Sequence, residues 1–134
     1  SHPHVPYEEL SGLNERSKGI AEGMKQDEFN QKYPLVIKQW EQGIDARPEG
    51  GESFEDVHHR VVPLFDRHLA GSLPGQTLLY VIHGNVIKVL LGYILNIPHN
   101  RRHTIKQDYC AVNAVSFEHG RNRWEVEYVN RVFH

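Results

Sequence analysis

Thr77-Leu78-Leu79-Tyr80-Val81-Ile82, a run with almost no polar side chain, leads directly into His83-Gly84-Asn85 and then into the apolar-patterned stretch Val86 to Leu95. No other feature of the chain limits its fold as much. A short, continuously apolar run suits a strand covered on both faces, which requires helices packed against a sheet. The pattern places an ionisable imidazole, His83, at the carboxyl end of that buried strand, and a glycine at the strand-to-helix turn lets the backbone come close to a ligand. Asn85 falls where the next helix starts. Free N–H groups and the positive end of the helix dipole point outward there, so the expectation is an anion site, for phosphate above all, built from His83, Gly84 and Asn85.

Composition narrows the class. With 134 residues, 39% hydrophobic and 24% charged, the chain reads as one soluble domain. A net charge of −2 and scattered basic residues argue against nucleic acid as a partner. No apolar run approaches the roughly 20 residues that span a bilayer, and no signal-peptide pattern opens the chain, so no membrane partner and a cytoplasmic setting are expected. The single cysteine, Cys110, excludes an internal disulfide framework and lies in an apolar-looking segment, which predicts a buried bystander. The ten histidines show no metal-ligand spacing, so neither metal nor cofactor is expected. His2-Pro3-His4 reads as a frayed end or an expression remnant rather than a metal clasp.

Along the chain, Tyr7 to Gly23 has no sustained period and reads as a functional loop with short helical turns. From Gln26 to Gln42 the spacing of Phe29, Tyr33, Ile37 and Trp40 is helical, with Pro34 marking a break or the first turn of a second helix. Ile44 to Glu52 is a loop, and Ser53 with Asp56 resembles a capping arrangement. Val57, Val61, Leu64, Phe65 and Leu69 then share one face of a helix over Phe54 to Ala70 that Pro63 should bend. Beyond Pro98, Ala111 to Phe117 and Trp124 to Val129 alternate around His119-Gly120-Arg121-Asn122, a hairpin signal. Helices on either side of an apolar strand predict an α/β layer structure with a mostly parallel sheet. Too few strands are present to flank Leu78 to Ile82, so a central parallel member is expected to be missing and the exposed edge to need covering.

These residues resemble the histidine phosphatase superfamily, which includes cofactor-dependent phosphoglycerate mutases and related phosphomonoesterases. Leu13-Asn14-Glu15-Arg16 with Gly19 and Glu22-Gly23 resembles the segment that carries the family's acidic catalytic residue. Pro48-Glu49-Gly50-Gly51-Glu52-Ser53 with Arg60 resembles the motif leading into the next helix, and His83-Gly84-Asn85 the second histidine motif. Gln107-Asp108, Asn113, Asn130 and the terminal His134 resemble the family's ending, so the likeness runs from about Leu10 onward.

The resemblance implies an incomplete phosphoglycerate mutase-like fold, with residues 1–134 as a single partial domain whose first central strand is absent. Members open with a strand ending in Arg-His-Gly, whose histidine is phosphorylated. No Arg-His-Gly occurs here; Arg67-His68-Leu69, Arg102-His103-Thr104 and Glu118-His119-Gly120 fall on a helix, a loop and a hairpin. The mechanism implied has an imidazole attacking phosphorus while Glu15 protonates the leaving oxygen and later activates water, a role that needs a pKa raised from about 4.3 toward neutrality. His83 is implied to hold the phosphoryl group, with Gly84 and Asn85 as phosphate-binding donors. Structural roles are expected for Glu52, Ser53 and Arg60, and core positions for Trp40 and Trp124.

Two function classes follow. One is a phosphomonoesterase acting on a small phosphorylated substrate, or less so a mutase, whose nucleophile comes from a complementary N-terminal segment. The other is a non-catalytic phosphate-binding or interaction module that pairs with a partner chain or forms a homo-oligomer. In either case these residues alone are expected to be inactive.

Overall fold

A computed structural model describes residues 4–133; His2-Pro3 and the terminal His134 lie outside the described residues. Helices α1 (Gln26–Lys32), α2 (Pro34–Glu41), α3 (Phe54–Gly71) and α4 (Gly84–Ile94) precede a hairpin of β1 (Val112–Glu118) and β2 (Arg123–Arg131). Short 3-10 turns fall at Ser11–Leu13, Gly19–Ala21 and His99–Thr104. The α1–α2 break comes at Pro34, which lacks an N–H and takes the first position of α2. Phe29 packs across that break against Tyr33 and Trp40. Pro63 lies inside α3, which continues through it.

Helix α3 begins with a fully answered first turn. The Ser53 hydroxyl accepts from the Asp56 amide, the Asp56 carboxylate accepts from the Ser53 amide, and Asp45 accepts from the amides of Phe54 and Glu55. Side-chain oxygens thus replace the acceptors that a helix start otherwise lacks. From there the helix presents Phe54, Val57, Val61, Val62 and Phe65 to Val86, Val89 and Leu90 of α4, forming the core. Val57, Val61, Val86 and Val89 have no exposed surface. Burying each such side chain contributes about 1.5–3 kcal/mol. The antiparallel hairpin, with Phe117 opposite Trp124, docks through the Trp124 ring stacked on Phe65 at 5.6 Å. At the hairpin's open end, Asn130 has φ +57, and its amide donates to Asn113 Oδ1 while its side chain bonds Asp108.

The α/β class predicted from the sequence holds and its sheet is incomplete: among the described residues the one ladder is the antiparallel β1–β2 pair, and the parallel pairing expected of a mostly parallel sheet is not formed. Thr77–Ile82 forms no ladder, and its backbone makes no hydrogen bond to another described residue. Tyr80 and Ile82 pack on the core while Leu79 and Val81 are 85% and 89% exposed, the alternation of an extended segment with one face covered. The expectation of burial on both faces is therefore corrected. The neighbours that would cover the outer face and take up the backbone donors and acceptors are not among the described residues. A groove of about 440 Å³ runs between this segment and β1, lined in part by Leu78, Tyr80, Val115 and Phe117.

Cys110 is a second correction. It is exposed, with φ +58, in the turn before β1. The neighbouring Tyr109 is 97% exposed, so the apolar look of this segment reflects a turn that projects its side chains outward.

One buried charge ties α3 and α4 to the following turn. Arg102, 4% exposed, lies over Gly92, where an added Cβ would come within 2.5 Å of Arg102 Cδ. Its Nε donates to the Ile97 carbonyl, and its Nη1 lies 2.8 Å from His58 Nδ1. That bond requires His58 Nδ1 to accept, hence an unprotonated nitrogen. Burial first, then the Arg102 charge, pushes His58 from 6.5 down to about 4. The unfolded chain takes up this proton near 6.5 and the folded chain only near 4, so stability is full above that window and falls as pH drops through it. His58→Asn, which keeps an acceptor but does not titrate, should flatten this part of the urea midpoint plotted against pH.

Candidate active site

Glu15 sits in the loop after the first 3-10 turn, and the loop is anchored on both sides of it. Arg16 points inward. Its guanidinium lies 5.2 Å from the centre of the Trp40 ring and 4.7 Å from that of Phe54, with Nε donating to the Glu52 carbonyl at 2.7 Å. Burial lowers the pKa of Arg16, while Asp45, Glu15 and Glu52 nearby act in the opposite sense. Glu52 accepts from the Ser17 amide at 2.9 Å and from Arg60 Nε at 2.8 Å. The Arg60 hydrogen bond, helped by that of Ser17, holds the Glu52 carboxyl below the usual carboxylate range against the opposing effect of burial.

Two glycines let this loop meet the one that precedes α3. Gly19 has φ +56, and a Cβ there would lie 2.1 Å from the Glu49 carbonyl oxygen. A Cβ on Gly51 would lie 2.8 Å from the Ser17 carbonyl oxygen. Close backbone contact of this kind, with Ile20 N–H donating to the Glu49 carbonyl and Glu52 N–H to the Ser17 carbonyl, excludes any side chain from the interface.

The other half of the site is the start of α4. His83 is the N-cap residue, with φ −110 and ψ 159, and no side chain caps this helix. Its ring is exposed, whereas Gly84 and Asn85 are half-buried. The packing of α4 against α3 brings this helix start to Glu15. The Glu15 Oε1 atom accepts from the Arg16 amide at 2.8 Å, and Oε2 lies 3.4 Å from the Asn85 amide. Residues 70 positions apart are thereby joined, and a carboxylate stands at the positive end of a helix dipole. A half-buried carboxyl, outward-facing amides and an exposed imidazole supply a proton donor or acceptor, anion-binding donors and an electrostatic partner.

Of the sequence-predicted residues, the fold gathers Glu15, His83, Gly84 and Asn85 into one region. Ser53 is a helix cap, Glu52 pairs with Arg60, and Trp40 and Trp124 are half-buried and stacked on Phe29 and Phe65. Arg16 as an inward anchor and Asp45 as a second cap for α3 were not legible. Both act on groups distant along the chain, and nothing in the local spacing marks them. Among the described residues no three His, Cys, Asp or Glu side chains are grouped to share a metal ion, and no helix is long and apolar enough to cross a membrane.

The family model described as histidine phosphatase superfamily (branch 1) matches residues 1–131. A 2,3-bisphosphoglycerate-dependent phosphoglycerate mutase 2 of Gloeobacter violaceus is 32% identical over 119 residues, which are 87% of this chain and 53% of the relative. A 2,3-bisphosphoglycerate-dependent phosphoglycerate mutase of Methanosarcina acetivorans is 29% identical over 87% of the chain and 48% of its own length. The chain thus spans about half the length of these curated relatives. Among solved structures, YhfR of Bacillus stearothermophilus superposes with a TM-score of 0.85 at 23% identity, covering 98% of this chain and 65% of that one. A mycobacterial glucosyl-3-phosphoglycerate phosphatase in complex with VO3 superposes with a TM-score of 0.82 at 22% identity, over 96% and 65% of the two chains. At these identities the superpositions establish a shared fold.

Gly19→Ala should cost more than about 1 kcal/mol, since the left-handed backbone and the close carbonyl both oppose a Cβ. A urea titration checks this; unchanged stability would mean that the two loops are not in contact.

Proposed function

This chain belongs to the histidine phosphatase superfamily, and from that membership we propose that it supplies the acid/base and phosphate-holding half of a phosphomonoesterase. In this reading a histidine from a complementary N-terminal segment attacks phosphorus. The bond from phosphorus to the leaving oxygen breaks, and Glu15 passes its proton to that oxygen. The Glu15 carboxylate then takes a proton from water, whose oxygen attacks phosphorus and releases phosphate from the histidine. His83 lies against the phosphoryl oxygens as charge builds on them, and the Gly84 and Asn85 amides add donors at the start of α4.

The observation that carries this reading is the contact of Glu15 Oε2 with the Asn85 amide. It brings the acid beside the one helix start on which the phosphate reading depends, while the start of α3 is closed by Ser53, Asp56 and Asp45. The unpaired Thr77–Ile82 backbone and the groove beside it favour an added strand as the seat of the complementary segment, which would end near His83. A second reading, a mutase, draws on the curated relatives, which are phosphoglycerate mutases. It differs only in the final acceptor, an oxygen of the substrate in place of water. A third, a non-catalytic phosphate-binding module, draws on the absence of Arg-His-Gly from the 134 residues.

With p-nitrophenyl phosphate, the 134 residues alone should release no phosphate above background. Joined to an N-terminal segment bearing Arg-His-Gly, they should turn over, and His83→Ala or Glu15→Gln should lower the rate about 10²-fold or more. Turnover by the 134 residues alone would show that the nucleophile has been misassigned. Transfer to a second substrate oxygen, in place of free phosphate, would select the mutase.

A further inference from the structure

One side chain reaches the Glu15 loop from α3. Arg60 Nη1 donates to the Gly12 carbonyl at 2.8 Å, and Nη2 to the carbonyls of Asn14 at 2.8 Å and of Glu15 itself at 3.2 Å. Its remaining contacts are to Glu52, Nε to Oε2 at 2.8 Å and Nη2 to Oε1 at 3.0 Å. Glu52 is held in turn by the Ser17 amide, on the far side of Glu15. We infer that Arg60, braced by Glu52, is the positioning residue that fixes the Glu15 carboxylate against the start of α4. The inference rests on the reading of Glu15 as proton donor.

The geometry distinguishes this role from two simpler ones. A phosphate ligand needs several donors aimed at the anion, yet Nε and Nη2 of Arg60 are taken up by protein oxygens and Nη1 keeps at most one N–H beside its bond to Gly12. A plain ion pair needs only Glu52. Here the planar fork also takes three carbonyls from a segment 45 to 48 residues away, including the carbonyl of the residue to be positioned. With that carbonyl held by Arg60 and Oε1 held by the Arg16 amide, the oxygen left to face Asn85 is Oε2. Lysine cannot reproduce the arrangement, because a compact ammonium with three donors cannot hold both carboxylate oxygens and three carbonyls at once.

In the isotope-labelled chain, the Asn85 amide resonance should move with pH in step with the Glu15 carboxyl carbon. Arg60→Lys should abolish this coupled movement while the amides of α3 and α4 keep their dispersion, and Glu52→Gln should weaken it. The unmodified chain supplies a readout that no folding defect can spoil: the Arg60 Nη resonances should be separate, as for a guanidinium whose rotation is blocked. A freely rotating Arg60, or coupling that persists in Arg60→Lys, overturns the inference. In the complemented protein, Arg60→Lys should slow alkyl phosphates more than p-nitrophenyl phosphate, because the poorer leaving group depends more on the proton while both substrates need Glu15 to activate water. If Arg60→Lys breaks the coupling but Glu15→Gln shows no such leaving-group preference, the proton-donor reading fails and the positioning role stands.

Discussion

The packing of α3 against α4, in a core that holds the fully buried Val57, Val61, Val86 and Val89, sets where α4 begins relative to α3 and with it the geometry of the site. Valine has one strongly preferred rotamer in a helix, so a valine-lined contact leaves little freedom to slide or roll. The loop carrying Glu15 is fastened to α3 through Arg60, and the amide that Glu15 meets is in the first turn of α4. A core contact between two helices therefore decides the spacing of two polar groups that share no local sequence.

The two helix starts in this region show how the same backbone electrostatics are put to different ends. At α3, Ser53, Asp56 and Asp45 consume the first-turn amides, and the dipole is spent inside the molecule as a structural joint. At α4 the N-cap is a histidine whose side chain does not cap, and the neighbouring carboxylate comes from another segment. A group that arrives from a loop can exchange with a ligand more readily than one built into the helix itself. The phosphate reading belongs to this second start.

Much of this was legible along the chain. Apolar spacing marked α1 to α4, Ser53 with Asp56 marked the cap, and alternation around His119 to Asn122 marked the hairpin. Three features were not. Cys110 adopts a left-handed φ in a turn, and its apolar neighbours concealed this because composition does not report backbone handedness. Thr77–Ile82 has the composition of a doubly covered strand, yet coverage is a property of neighbours, and those are not among the described residues. Arg16, placed between two rings and the carbonyls of Glu52 and Ala46, depends wholly on which loops the fold brings together.

The residues themselves determine which segments are helical, where a carboxylate and an imidazole with chemical capacity lie, and that an apolar extended segment precedes His83. Those are local properties, set by side-chain period, turn chemistry and capping within a few residues. Only the tertiary structure decides that Glu15 reaches the Asn85 amide, that Arg60 and Arg16 hold it there from two sides, and that the apolar segment has one face covered and no backbone partner among the described residues. Contacts across 45 to 70 residues follow from packing, and packing is decided by the whole set of buried surfaces at once.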